Sequence, residues 1–269
     1  MWELLLLLTI IVGIHWWEYR NSVQEYKFAQ PATLDKHDEL ATLLMEKTPI
    51  AVEIGSLPWR PEIAENAGWA VTVLSEDGSE MNMAIGQWMT AGKGEKSSQG
   101  SEGNEDVKRP PIADPEALAT EIELTTGLGD LDAGRPWWWL PGIRDCRVNV
   151  LESGGILSLS WVTAEREWIG CSSGSPLTLW LVHSRYRRFL PSGSGSYSES
   201  VDPWTLTVSD CPWIGRVQYI EVTVKPGWCI GLPAHWGFAV KSEGESWIWS
   251  ATQHSALSLA LGEFYGRVC

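Results

Sequence analysis

The chain has 269 residues, of which 44% are apolar and 20% are charged, and its net charge is −14. This balance suits one or two globular domains with a sizeable core. It excludes collagen, a disordered chain and a disulfide-stapled miniprotein. A net charge of this sign also argues against a protein that grips nucleic acid with its whole surface, so no nucleic-acid partner is expected.

Charge and tryptophan are unevenly distributed along the chain. Residues 1–135 hold 10 Lys and Arg against 23 Asp and Glu, a net of −13, whereas residues 136–269 hold 10 against 11, a net of −1. Twelve of the 18 Trp lie between Trp137 and Trp249. The contrast predicts an acidic front part and a nearly neutral body with large flat side chains in its core or at interfaces. One interleaved fold would give the same contrast.

Residues 1–20 predict a transmembrane or deeply inserted anchor helix. The run from Leu4 to Ile14 is uncharged, Glu3 stands where a signal peptide carries basic residues, and no small-residue cleavage site follows. Aromatic residues flank the run as in an interfacial belt. A signal peptide and a buried helix are the alternatives for so short a run. The expected anchor residues are Trp2, Leu4, Leu5, Leu6, Leu7, Leu8, Ile10, Ile11, Val12, Ile14, Trp16 and Trp17.

The flanking charges predict the orientation of this anchor. Arg20 and Lys27 follow the apolar run, so the positive-inside tendency places the long body on the cytosolic side of the membrane. The five Cys form no Cys-x-x-Cys pair, and the chain has no Asn-x-Ser/Thr sequon. Both observations favour a reducing compartment for the body.

The rest of the chain divides into a connector and a β domain. Residues 21–48 predict a connector with an amphipathic helix that Thr33 caps and that ends near Lys47. The β domain is expected over residues 49–269, with a mobile Gly- and Ser-rich loop at 91–111. Its early part predicts a β-rich run at Pro49–Ile54, a turn and short helix at Pro58–Ala67, strands at Trp69–Leu74 and Met81–Trp88, and a helix that starts at Asp114-Pro115-Glu116 and ends near Thr126.

From Arg147 onward the pattern is that of short strands separated by Gly, Ser and Pro clusters. About ten strands at this spacing predict a sandwich, a jelly roll or a barrel. The predicted strands are Arg147–Glu152, Ile156–Val162, Glu167–Cys171, Leu177–His183, Trp204–Ser209, Gln218–Lys225, Cys229–Leu232, Gly237–Ser242, Ser246–Thr252 and Ala256–Leu261.

The stretch Val222–Val240 resembles the late part of the cupin-like, JmjC-like double-stranded β-helix. In that family a strand leads to Pro-Gly, then to an apolar strand, then to Pro, two residues, Trp and an iron-binding His. Lys225-Pro226-Gly227 and Ile230–Trp236 follow this rhythm. Pro49–Ile54 with Leu57-Pro58-Trp59, and Trp168–Gly170 with Leu177–His183, fit the same frame. Over residues 49–262 the resemblance implies a mainly β jelly roll with a few peripheral helices.

The sequence departs from the family's pattern at the positions that bind iron and 2-oxoglutarate. Catalytic members hold Fe(II) with a His-x-Asp/Glu pair and a distal His. The first pair would lie in Ser158–Glu165, where Trp161 and Thr163 take its place, and the distal His would be Phe238. The residue that binds 2-oxoglutarate would be Pro176. The resemblance therefore implies a metal-free relative with no catalytic residue, no metal ligand, no cofactor and no small-molecule substrate.

Two groups of residues are candidates for partner binding. Arg185, Arg187 and Arg188 form the basic cluster of the back half and suit an acidic partner or lipid head groups, with a solvated turn as the alternative. Trp137, Trp138 and Trp139 are too bulky for all three to be buried in one extended segment, unless they clamp an open end of the β body.

For the remaining His, Cys and Ser residues we weighed a zinc site and a nucleophilic site, and the sequence pattern argues against both. His183, His235, Cys171 and Cys229 lack the local spacing of a zinc site. His254 beside Ser255 lacks a nucleophile elbow, because neighbouring strand residues point to opposite faces.

Together these features favour a non-enzymatic, membrane-anchored structural protein that binds other proteins. Such proteins resemble minor capsid components of large DNA viruses, which link an inner membrane to the shell, so a position between that membrane and the capsid is one expectation. The alternative is a JmjC-like Fe(II)/2-oxoglutarate hydroxylase whose ligands lie elsewhere in the sequence.

Overall fold

The computed structural model describes residues 2–20, 28–29, 43, 47–54, 68–75, 77–91, 109–124, 128, 143–191 and 201–254. Three α-helices occur there: α1 (Trp2–Arg20), α2 (Ile85–Ala91) and α3 (Pro115–Glu121). The strands are β1 (Ile50–Glu53), β2 (Ala70–Leu74), β3 (Glu80–Ala84), β4 (Ile143–Leu151), β5 (Ile156–Trp161), β6 (Arg166–Gly174), β7 (Leu177–Val182), β8 (Tyr219–Val224), β9 (Trp228–Pro233), β10 (Gly237–Ser242) and β11 (Ser246–His254).

The strands form two larger sheets and a ribbon, all antiparallel. One sheet has the order β1-β9-β6-β11-β4, the other has the order β5-β10-β7-β8, and β2 pairs with β3. The last eight strands pair in a nested way: β4 with β11, β5 with β10, β6 with β9 and β7 with β8. The chain is thus mainly β, and its topology is compatible with a jelly-roll-like fold.

The core between the two sheets follows from the period-two pattern of the strands. On β7, Leu177, Leu179 and Leu181 are buried in a cluster that also holds Ile169 of β6 and Ile230 of β9. Because alternate residues of a strand face opposite sides, Trp180 and Val182 belong to another cluster on the outer face of the four-stranded sheet. The segment between β7 and β8 covers that outer face and contributes Leu190 and Val217 to the same cluster.

The outer face of the five-stranded sheet is covered by the front part of the chain. Residues of the β2–β3 ribbon, α2 and α3 pack there against Trp168 of β6 and Trp249 of β11, both fully buried. Glycines on neighbouring strands make room for these rings. A Cβ at Gly170 would lie 2.2 Å from the Trp249 ring, and one at Gly231 would lie 2.7 Å from the Trp168 ring.

One predicted strand is a strand only in its first half, and another is not a strand. The segment predicted at Met81–Trp88 leaves the sheet at Ala84 and becomes α2, because Ile85, Trp88 and Met89 recur at helical spacing and are all buried. The segment predicted at Trp204–Ser209 forms turns. Its backbone N–H groups bond to nearby carboxylates, Trp204 to Asp202 at 2.9 Å and Thr207 to Asp210 at 3.1 Å, and such local bonds compete with a strand ladder.

The start of α3 is confirmed, whereas its predicted length was too great. The Asp114 carboxylate accepts from the N–H groups of Glu116 at 3.1 Å and Ala117 at 2.8 Å, which is the cap expected from the sequence. The helix ends at Glu121, not near Thr126. The predictions for Pro58–Ala67 and Ala256–Leu261, and nearly all of those for the Thr33–Lys47 helix and the 91–111 loop, lie outside the described residues.

The N-terminal segment is a helix as predicted, and the side chains described in it are exposed. No helix in the described part of the chain is long and apolar enough to cross a membrane. The predicted helix is confirmed, whereas the predicted membrane crossing is not. Within α1 the uncharged run Leu4–Ile14 rises only about 16 Å, against a hydrocarbon core of about 30 Å.

Candidate interaction surface

The basic cluster of the sequence is an ordered 3₁₀ turn directly after β7. Residues Ser184–Phe189 form the turn, and the side chain of His183 caps it by accepting from the Arg185 N–H at 3.1 Å. The His183 ring is itself buried edge-on against Trp236, with ring centres 5.3 Å apart. In a 3₁₀ helix residues i and i+3 lie on the same side, so Arg185 and Arg188 project from one face. Both are exposed.

Each arginine of the turn lies over an aromatic ring. The Cζ atoms of Arg185 and Arg188 are each 4.7 Å from the ring centres of their neighbours Tyr186 and Phe189, and that of Arg187 is 5.1 Å from Trp161. Arg185 also donates from Nη2 to the Tyr186 hydroxyl at 2.9 Å. Stacking fixes the planar guanidinium groups while leaving their N–H edges available to acceptors.

A second segment extends this arrangement. Trp213 precedes a short 3₁₀ helix, Ile214–Arg216, and the Arg216 Cζ lies 4.5 Å from the Trp213 ring centre. The Phe189 ring connects the two parts, with ring-centre distances of 6.3 Å to Tyr186 and 6.5 Å to Trp213. We call the set the arginine–aromatic surface, made of Arg185, Tyr186, Arg187, Arg188, Phe189, Trp213 and Arg216.

The composition of the arginine–aromatic surface is that of protein interfaces. Trp213 is 49% exposed, and Arg188 and Arg216 are exposed beside it. Arg187, Arg188 and Arg216 form no ion pair with a described residue. Trp, Tyr and Arg are the residue types most enriched where binding energy concentrates, so an exposed group of them marks a candidate docking site.

Sequence reasoning found half of this surface. Arg185, Arg187 and Arg188 were predicted as partner-binding residues because they are consecutive basic residues. Trp213 and Arg216 were missed, although their i, i+3 spacing was a usable signal for a stacked pair on one helical turn. Trp137, Trp138 and Trp139 lie outside the described residues. Of the anchor residues, all lie on α1, and Trp2, Leu5, Leu6, Leu7, Ile10, Val12, Ile14 and Trp17 have exposed side chains.

At the position that the resemblance assigns to an iron site, apolar side chains fill the space between the sheets. Val162, Ala164, Trp236 and Phe238 are buried together in the cluster between the sheets. Carbon side chains of this kind offer no ligand atom, so these residues do not fit Fe(II). Among the described residues no group of three His, Cys, Asp or Glu side chains converges.

The position predicted for Trp161, in place of a metal ligand, was wrong. Trp161 does not point into the space between the sheets. It pairs with Gly237 and packs in the cluster on the outer face of the four-stranded sheet, beneath Arg187. Val162, one residue later, is the inward-facing side chain.

The other candidate polar residues are dispersed. Cys171 is buried between the sheets, whereas Cys229 is buried on the outer face of the five-stranded sheet, so the two thiols point to opposite sides. His183 serves as the cap described above. His254 lies 3.8 Å from the Asp145 carboxylate, and Ser255 lies outside the described residues.

Glu167 on β6 is a half-buried carboxylate whose ionisation opposes folding. Burial raises the pKa of Glu167 to about 7, and the positive charge of Arg147 opposes the shift. A carboxyl group with a raised folded-state pKa holds its proton more tightly in the folded protein than in the unfolded chain. The protein therefore loses stability as the pH rises from about 4.5, the pKa in the unfolded chain, through about 7, the pKa in the folded protein.

We therefore expect Glu167→Gln to be more stable than the wild type by about 1–2 kcal/mol at pH about 8, and to match it at pH about 4.5. Urea unfolding at the two pH values measures the difference. Glu221→Gln, which changes an exposed glutamate on β8, is the control and should show no such divergence. A Glu167→Gln variant that tracks the wild type at both pH values would contradict the prediction.

No protein-family model matches the chain, and no curated protein matches it significantly.

Proposed function

We propose that this chain is a non-enzymatic, membrane-attached protein that binds an acidic protein partner through its arginine–aromatic surface. The observation that carries the proposal is the surface itself, in which Arg188 and Arg216 form no ion pair with a described residue and lie on the connected rings of Phe189 and Trp213. The body that presents it is proposed to be a cupin-like jelly roll.

The pairing of the strands supports the jelly roll. When eight strands are numbered from β4 to β11, the first pairs with the eighth, the second with the seventh, the third with the sixth and the fourth with the fifth. A jelly roll forms when a long antiparallel ribbon is rolled up in this nested way. β1 adds a further strand to one edge of the five-stranded sheet.

The filled interior supports the absence of catalysis. A metal-dependent oxygenase needs ligands and an open pocket between the sheets. Val162, Ala164 and Phe238 occupy that space with hydrocarbon. The hydroxylase alternative has no supporting contact among the described residues.

The charge distribution supports an acidic protein as partner. The surface holds four of the ten basic residues of the back half, in a chain whose net charge is −14. Nucleic acid would meet strong repulsion from the rest of such a chain, whereas a protein needs to be acidic only at the contact. Arginine also pairs with carboxylates through two parallel hydrogen bonds, and stacking holds the group ready for this geometry.

The helix α1 supports attachment to lipid. The exposed apolar side chains of Leu5, Leu6 and Leu7 project in three directions around the helix, since each step turns it by about 100°. A helix that docks in a protein groove needs one apolar stripe, whereas an all-round apolar helix suits lipid.

A narrower form of the proposal is a minor capsid protein between an inner membrane and a protein shell, which would need both a lipid-binding helix and a protein-binding surface. Co-purification with particles during fractionation supports this form. Recovery with host membranes alone contradicts it.

The binding experiment compares two double variants that each remove two positive charges. Arg188→Gln with Arg216→Gln should weaken binding to a Glu- and Tyr-containing acidic peptide about tenfold in calorimetry at low salt. Lys225→Gln with Lys241→Gln, on the β body, is the matched control and should have less than about a twofold effect. Arg188→Lys with Arg216→Lys keeps the charge, loses the planar donors and should be intermediate.

Two results would contradict the proposal. If the arginine and lysine double variants weaken binding equally, binding depends on the net charge of the protein and not on the arginine–aromatic surface. Stoichiometric iron in the purified protein, together with succinate formed from 2-oxoglutarate, would contradict the non-enzymatic assignment.

A further inference from the structure

A cleft of about 380 Å³ is lined by residues of the front segments and of the end of β4. Its apolar lining includes Trp88 of α2, Pro110, Val150 of β4 and Ile156 of β5. Its polar lining consists of Arg109, Asn149 and Glu152. A volume of this size is typical of pockets for small molecules.

Arg109 is held in place by a rigid surround. The segment after it is pinned to β2, since the Leu74 N–H donates to the Pro111 carbonyl at 2.9 Å and the Ala113 N–H donates to the Thr72 carbonyl at 2.8 Å. The indole N–H of Trp88 donates to the Pro110 carbonyl at 2.9 Å.

The Arg109 guanidinium stacks on Trp88 and is incompletely bonded. Its Cζ lies 5.3 Å from the Trp88 ring centre, and its side chain is only 8% exposed. Nη2 donates to the carboxylate of Glu245, in the turn before β11. Nε and Nη1 have no acceptor among the residues that the structure describes. A buried cation with two unsatisfied N–H groups is rare in folded proteins, because each such group loses its bonds to water without replacing them.

We propose that this cleft binds a small carboxylate that has a flat apolar body, with the carboxylate on Arg109 and the body between Trp88 and Ile156. A carboxylate supplies the oxygens that the guanidinium lacks and forms stronger hydrogen bonds with it than a neutral group does. The Asn149 amide offers a further donor in the lining. The inference is independent of the function proposed above.

The role of Glu245 gives the proposal a distinctive signature. Glu245 is 41% exposed and already shares the guanidinium, so it competes with an incoming carboxylate. Removing its charge should therefore tighten ligand binding, whereas removing the charge of Arg109 should weaken it. A merely structural Arg109–Glu245 pair predicts no ligand binding and similar losses of stability for both changes.

The test is calorimetric titration of the full chain with phenylacetate, with the neutral phenylacetamide as matched ligand. We expect phenylacetate to bind with a Kd of about 1 mM or tighter. Arg109→Gln should weaken it at least about tenfold, Arg109→Lys should weaken it less, and Glu245→Gln should strengthen it severalfold. Thermal unfolding of each variant reports whether it folds. If Arg109→Gln does not fold, the Glu245→Gln variant and the comparison of the two ligands still test the proposal.

Any of four results would overturn the proposal. Two concern the ligands: phenylacetate gives no heat up to about 10 mM, or phenylacetamide binds as tightly as phenylacetate. Two concern the variants: a folded Arg109→Gln variant binds phenylacetate as tightly as the wild type, or Glu245→Gln does not increase the affinity.

Discussion

Replacing Gly170 with alanine is expected to destabilise the protein by about 3 kcal/mol, the upper end of the usual cost of overpacking a core. A Cβ at this position would lie 2.2 Å from atoms Cε2 and Cζ2 of the Trp249 ring. Trp249 cannot move away easily, because it is fully buried beneath the front part of the chain. Denaturant unfolding of the full chain measures the change in the free energy of unfolding.

The control is Gly215→Ala, since a Cβ there meets nothing within 4 Å. This variant should stay within about 0.5 kcal/mol of the wild type. In a Trp249→Leu background the Gly170 substitution should cost less than about 1 kcal/mol, because the smaller side chain leaves room for the methyl group. Equal effects of Gly170→Ala in both backgrounds would show that the contact with Trp249 is not the cause.

The second large effect concerns α1. A variant that begins at Glu18 should lose nearly all binding to phosphatidylcholine vesicles, because it lacks the exposed side chains of Leu5, Leu6, Leu7 and Ile10. Burying a leucine or isoleucine side chain in an apolar phase contributes about 2 kcal/mol, so a few of them dominate the partition. Flotation on a density gradient measures the bound fraction.

Two further variants make this result specific. Leu6→Glu with Leu7→Glu should reduce flotation almost as far as removing the segment, since a charged group is strongly disfavoured in hydrocarbon. Thr9→Ala, on the same helix, should leave it unchanged. If the full chain and the Glu18 variant float equally, α1 is not the lipid-binding element.

The sequence predicted the bounds of a strand best where turn residues flank it on both sides. Gly237–Ser242 has the predicted bounds because its flanks are unambiguous turns. The prediction was wrong at Ile85–Trp88, where helical and strand spacing cannot be distinguished over so few residues and the structure forms a helix that packs against the sheet. The facing of Trp161 was equally hard to predict. A register shift between Phe238 and Val240, opposite this part of β5, breaks strict alternation, and a bulge leaves little trace in composition.

The functional residues also divide into those that the sequence could predict and those that it could not. A run such as Arg185–Arg188 is visible because its members are adjacent in the chain. The pairing of Phe189 with Trp213 and of Arg109 with Glu245 joins residues that are distant in sequence, and only the tertiary fold brings them together. Side-chain chemistry can be read locally, whereas convergence depends on long-range topology.

The segment between β7 and β8, which covers the four-stranded sheet, could change its outward residues during evolution while the core stays the same. The segment between β7 and β8 buries its own apolar side against the sheet through Leu190 and Val217 and turns its arginines outward. Its outward residues therefore contribute little to the core and can be exchanged at small cost in stability. The same framework could acquire a different partner by exchanging this one insertion, with the eight nested strands left unchanged.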